Sequence, residues 1–181
     1  MEKLGIIPNR PKRVIIFVDH ANIFYNLQKR DIRIDYQKLR QIVSRDSHLV
    51  GAFVYLGVPD KIPIEKENFM RYIEKAGYTI QKRPLSMLSD GSTKQKRIDI
   101  FIYKDMVELA EEDAYDKAVL LSGDGDFVDA IKQLKVLKKR FEIWSFCKSL
   151  SKLLRKEAGE DNIHYIDDIL GEISQKKKEE E

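Results

Sequence analysis

The feature that most constrains this chain is a rhythm. Short apolar runs rich in β-branched residues alternate with longer segments of helical pattern. "RVIIFVD" (Arg13 to Asp19), "GAFVYLGV" (Gly51 to Val58), "YTIQKRP" (Tyr78 to Pro84), "KAVLLSG" (Lys117 to Gly123) and "FEIWSFC" (Phe141 to Cys147) read as strands, and "IHYID" as a short final one. Between them lie "HANIFYNLQKR", "DYQKLRQIVSR" with Asp35 as its cap, and "PIEKENFMRYIEKAG", which opens on Pro63 and closes on Gly77 as helices prefer. "RIDIFIYKDMVELAEE", "DGDFVDAIKQLKVLKKR" and "SLSKLLRKEAG" complete the helical set, and the first two carry clear apolar stripes. No segment repeats another. Strands alternating with helices predict the α/β class: a three-layer α/β/α sandwich with a mainly parallel central sheet.

That architecture gives ligands an address. In open parallel sheets they bind beyond the carboxyl ends of the strands, where strand order reverses. Asp19 closes the first strand, and Asp124 and Asp126 follow the strand "KAVLLSG". Asp99 opens a helix after the polar stretch Leu85 to Lys96, expected as a flexible loop and a lid. Asn22 stands one helical turn beyond Asp19 and offers a carbonyl oxygen to a metal or a water.

Each acid has an ordinary explanation. Asp124 alone reads as a helix cap, and Asp126 and Asp129 as first-turn acids that complement the helix dipole. Asp99 has Lys96 and Tyr103 as alternative partners. Asp19 resists such a reading, because it ends a run of Val14, Ile15, Ile16, Phe17 and Val18, where an unpaired carboxylate is costly. Four carboxylates on one rim repel one another, and a hard cation such as Mg²⁺ or Mn²⁺ relieves that repulsion. Asp19, Asp99, Asp124 and Asp126 are therefore expected as metal ligands and catalytic residues.

Other motifs fit less well. "GDGDFV" lacks the third glycine of a dinucleotide fingerprint, and Val128 and Asp129 break the EF-hand pattern. "DGDFV" matches the aspartyl-phosphate motif of haloacid-dehalogenase-like phosphatases. Ser122 and Gly123, however, separate it from its strand. That reading is kept as a weak alternative.

Composition narrows the rest. The chain has 181 residues, 43% hydrophobic and 35% charged, with a formal net charge of +3, which suits one soluble domain. The one cysteine, Cys147, permits no internal disulfide, which suits a reducing compartment. There is no membrane-spanning run and no signal-peptide core, so a cytoplasmic protein is expected. Residues 1–12 read as an N-terminal extension, 13–170 as a single domain and 171–181 as a charged, disordered tail.

"VDHAN", "KRIDIFIYKDMVELA" and "DKAVLLSGDGDFVDAIKQLKVLKKRFEIWSF" together resemble the NYN domain, in its LabA-like branch of the PIN-like nuclease superfamily. The resemblance spans roughly Arg13 to Asp168. It implies a PIN-like fold of Rossmann-like topology and an acidic, metal-dependent site that acts on RNA. It matches Asp19, Asn22, Lys96, Asp99, Ser122, Asp124 and Asp126 to the family's motif positions, and Asp105 to a recurrent acid of structural or supporting role. Ser149 and Ser151 fit a serine-containing segment. His20 and Arg97 depart from the residues many relatives carry. His20 reads as a first-turn residue with its polar tip in solvent, and Arg97 as a phosphate contact or a shield for Asp99.

The expectation is a Mg²⁺- or Mn²⁺-dependent ribonuclease acting on single-stranded RNA. Lys94, Lys96 and Arg97 are the candidate RNA contacts. Lys82 and Arg83 lie nearby, and Tyr25, Tyr72 and Tyr103 are available for stacking. A non-catalytic RNA-binding or scaffolding module is the main alternative, and a homodimer or another protein partner stays open.

Overall fold

A computed structural model describes residues 11–87, 93–95 and 98–175. Its centre is a seven-stranded sheet in the order β4-β3-β2-β1-β5-β6-β7. Strands β1 (Arg13–Asp19), β2 (His48–Val58), β3 (Thr79–Met87), β5 (Lys117–Leu121), β6 (Arg140–Ser145) and β7 (Ile163–Tyr165) run parallel; β4 (Thr93–Gln95) alone is antiparallel, against β3. The chain first builds outward from β1 through β2 to β3. It then restarts on the other side of β1 with β5, β6 and β7. The β1–β5 junction is thus the point where strand order reverses, and its carboxyl rim is the favoured ligand position.

Residue parity sorts the core. Val14, Ile16 and Val18 of β1 face one layer, and Ile15 and Phe17 the other. The first layer holds α1 (His20–Lys29), α2 (Tyr36–Val43), α3 (Ile64–Lys75) and α7 (Ile166–Ile173), through Ile23, Leu39, Ile73 and Ile173. The second holds α4 (Ile98–Glu111), α5 (Val128–Val136) and α6 (Lys152–Ala158), through Ile102, Ile131 and Leu154. Burial on both faces explains why β1 reads as an unbroken apolar run.

Two differences from the sequence reading stand out. The stretch Leu85 to Lys96 is not simply a loop: Leu85 pairs with Gln95, Ser86 with Lys94 and Met87 with Thr93, which extends β3 into a hairpin arm. And α7, absent from the sequence reading, takes in the first residues assigned to the charged tail. Ser174 bridges to Ile34, and Gln175 N donates to Arg33 O at 2.8 Å.

Candidate acidic site

Asp19 is the last residue of β1 and shares parity with Ile15 and Phe17, so its side chain belongs to the α4–α5 side. It is only 9% exposed. Its Oδ1 accepts from Asn22 N at 3.4 Å, capping α1, and its Oδ2 accepts from Ser122 Oγ at 2.9 Å. Burial pushes the carboxyl up to about 6, against the pull of the Ser122 and Asn22 bonds. The charges of Asp124 and Asp99 push it further the same way.

The turn after β5 is built around this carboxylate. Ser122 is fully buried, and its Oγ also accepts from Asp124 N at 3.2 Å. Gly123 N donates to Asn22 Oδ1 at 3.1 Å, so Asn22 ties α1 to the β5 turn. The carbonyl expected to meet a metal or a water is already engaged there. Asp124 caps the 3-10 turn Gly125–Phe127 by accepting from Asp126 N at 3.0 Å, before α5 begins. Asp126 is exposed, and its carboxyl is raised first by the charge of Asp124, then by desolvation and by Asp99. Asp99 lies half-buried in the first turn of α4. Asp129 sits in the first turn of α5 beside Lys132, as an ordinary helix acid.

All four acids therefore fall within one another's field. Asp19 feels Asp99 and Asp124, and Asp126 feels the same two. Yet among the described residues no three His, Cys, Asp or Glu side chains are close enough to form a ready-made metal cage.

Residues 13–166 match the model of the NYN domain. The chain belongs to the NYN domain family. It is also 33% identical over 153 residues to the low amplitude and bright protein LabA of Synechococcus elongatus, covering 81% of this chain and 80% of that protein. A crystal structure of a protein of unknown function from Vibrio parahaemolyticus superposes with a TM-score of 0.77. It covers 92% of this chain and 98% of its own at 23% identity, which fits the PIN-like fold.

The serines of the NYN motif region are scaffold. A Cβ on Gly123 would lie 2.4 Å from Ser145 Oγ and 2.5 Å from Ser149 O, and one on Gly125 would lie 2.8 Å from Ser151 Oγ. Ser151 N donates to Gly123 O at 2.8 Å while its side chain caps α6. The acidic turn is pressed against the segment after β6, and only glycine fits.

Asp105 accepts from Tyr55 Oη at 2.7 Å. Tyr55 is the register partner of Asp19 on β2, so this bond locks α4, which carries Asp99, to the sheet beneath Asp19. Sequence reasoning had Asp105 but not Tyr55, because the pair is separated by 50 residues.

His20 differs from expectation. Its ring stacks on Phe24 at 5.2 Å and tilts against Phe69 at 5.0 Å, and its Nε2 is buried with no hydrogen-bond partner among the described residues. Burial, then the charge of Lys66, pushes its pKa down to about 3, so the ring is neutral. The polar tip is not in solvent, because Phe69 from α3 covers it.

The cations are only partly placed. Lys96 and Arg97 lie outside the described residues; Lys94 is placed only by its backbone, in β4. Arg83, by contrast, lays its guanidinium over Phe101 of α4 at 4.2 Å, two residues from Asp99. Tyr25 is exposed with Lys29 over its ring, whereas Tyr103 packs against the α4–α5 core. No helix of the described residues is long and apolar enough to cross a membrane.

Proposed function

We propose that this NYN domain is a Mg²⁺- or Mn²⁺-dependent ribonuclease that cuts single-stranded RNA at the β1–β5 rim. The observation that carries the reading is Asp19: a buried carboxylate, raised by its acidic neighbours, at the sheet's switch point. The donor set suits a hard cation, since Asp19, Asp99, Asp124 and Asp126 offer only oxygen. These four would hold the ion, which when bound supplies Lewis acidity toward water and phosphate.

The chain's own residues do the positioning. Ser122 and the α1 backbone hold both oxygens of Asp19 in place. The Asp124 cap fixes where Asp126 leaves the 3-10 turn. Arg83 on Phe101, with Lys94, Lys96 and Arg97, supplies cations for the RNA backbone near Asp99. The RNA-related character of the NYN family supports the substrate class.

The test is cleavage of a single-stranded RNA by purified protein with Mn²⁺, beside Asp19→Asn and Asp124→Asn. Cleavage by the parent alone, abolished by chelation, supports the reading. Equal activity in all three ends it.

A second reading is a non-catalytic RNA-binding or scaffolding module. The absence of a closed three-ligand cage among the described residues favours it. RNA binding that is salt-dependent, chelator-insensitive and never followed by cleavage would select it.

A further inference from the structure

A cleft of about 380 Å³ opens between α1, the 31–36 segment and α3. Its volume lies in the range of small-ligand sites. Its walls are Phe24, Phe69, Tyr36 and Tyr72, with Gln28 and Arg33 at its edge. Phe24 is 46% exposed, although it is a large aromatic. Tyr36 is 4% exposed, and its hydroxyl is buried with no hydrogen-bond partner among the described residues. An orphan hydroxyl at a buried site costs stability, and a ligand that bonds to it recovers that cost. Aromatic walls beside one unsatisfied hydroxyl call for a flat ligand with polar edges. A purely aliphatic ligand would leave the hydroxyl unmet.

The cleft also connects to the acidic rim. Phe24 follows His20 by one helical turn, and His20 directly follows Asp19. Phe24 and Phe69 both pack on the His20 ring, so an aromatic ladder runs from the residue beside Asp19 into the cleft. Phe24 to Asp31 extends the cleft by about 10 Å along α1.

We propose that this cleft is a nucleobase-binding site, stacking a base on Phe24 and Phe69 while Tyr36 Oη bonds the base edge. The base belongs to the RNA strand whose backbone crosses the acidic rim, so this assignment rests on the reading above. The arrangement follows how proteins hold unpaired bases, by aromatic stacking and edge hydrogen bonds.

Fluorescence anisotropy with a labelled ten-nucleotide single-stranded RNA, in chelator so that nothing is cut, tests the site. Phe24→Ala weakens binding about 5- to 100-fold, the range for losing one stacked base. Tyr36→Phe weakens it about 2- to 10-fold, and to different extents for oligo(A) and oligo(U). Tyr36→Phe also raises the melting temperature of the free protein, because it removes a buried unpaired hydroxyl; a merely structural tyrosine would not combine firmer folding with weaker binding. An abasic oligomer is insensitive to Phe24→Ala. AMP and UMP form the other arm: binding that disappears in Phe24→Ala shows that the cleft also takes free nucleotides. Val136→Ala, 72% exposed on α5, is the unaffected control.

If Phe24→Ala and Tyr36→Phe bind every oligomer and nucleotide as the parent does, the site is overturned. That failure is separable from failure of the ribonuclease reading. Lost cleavage in Asp19→Asn with normal binding in Phe24→Ala removes the base site alone. Unchanged or absent cleavage with weakened binding in Phe24→Ala removes the nuclease alone.

Discussion

Ser122 donates its hydroxyl proton to Asp19 Oδ2 at 2.9 Å, across the junction of β1 and β5. The two residues are 103 positions apart, and both are buried. The same hydroxyl oxygen accepts from Asp124 N, so one serine couples the first-strand acid to the acidic turn. A hydroxyl at this place lets a buried carboxylate persist beside two other negative charges.

Removing that hydroxyl tests the coupling. Ser122→Ala is nearly isosteric, yet it strips a donor from Asp19 and an acceptor from Asp124 N. It should cost about 1–3 kcal/mol in urea unfolding. It should also raise the Asp19 pKa above that of the parent in an NMR titration of the carboxyl carbons. An unchanged Asp19 titration would show that Ser122 does not hold the charge.

The pH dependence of the metal-free protein follows from the same carboxyl. Asp19 titrates at about 6 when folded, against an ordinary 3.8. A raised acid holds its proton longer in the folded state. Its contribution is therefore present below about pH 4 and is lost as pH rises through about 6. The two-unit shift corresponds to about 3 kcal/mol. Asp19→Asn lacks this loss, so its stability relative to the parent should grow between pH 4 and 6 and then level off. At pH 7, Mn²⁺ should raise the melting temperature of the parent and not that of the variant. Parallel pH profiles would contradict the assignment.

The alternation of strands and helices was enough to place this site before any coordinates. The acid at the end of β1 and the "SGDGDF" turn after β5 are local patterns, and a parallel sheet brings them to one rim. What stayed hidden depends on distant partners. The β3–β4 hairpin arises from a polar stretch whose pairing is a matter of register, not of composition. Helix α7 carries Gly171 near its end, which weakens its propensity, and docking rather than local sequence sustains it. His20 looked solvent-facing because Phe69, which covers it, comes 49 positions later. Tyr55 reads as one more apolar strand residue until Asp105 is placed over it.

That last pair gives a prediction of its own. Tyr55 Oη donates to Asp105 between β2 and α4. Asp105→Ala leaves a buried hydroxyl unpaired and should cost about 1–3 kcal/mol, whereas the double variant with Tyr55→Phe should cost less than the two single changes summed. Asp105→Asn retains an acceptor for Tyr55 and should retain RNA cleavage. If Asp105→Asn abolished cleavage while melting normally, Asp105 would belong to the site and not to its support.

Gly123 offers the sharpest contrast, because the constraint on it is steric and not electrostatic. Its φ is not positive, so alanine is permitted by the backbone. The obstacle is space: the new methyl would lie 2.4 Å from Ser145 Oγ and 2.5 Å from Ser149 O. Ser145 is buried and Ser149 O is backbone, so neither yields easily. Gly123→Ala should destabilise by about 3 kcal/mol and push the Asp124 turn away from Asp19. Gly171→Ala is the matched control, since nothing lies within 4 Å of its Cβ position in α7. It should be neutral or stabilising by up to about 1 kcal/mol. Thermal melts of the two variants, with Mn²⁺ titrated into each, separate the outcomes. Gly123→Ala should lose both stability and the Mn²⁺-induced shift, and Gly171→Ala should lose neither. A Gly123→Ala protein that melts and responds to Mn²⁺ as the parent does would mean that the β6 segment gives way and does not fix the acidic turn.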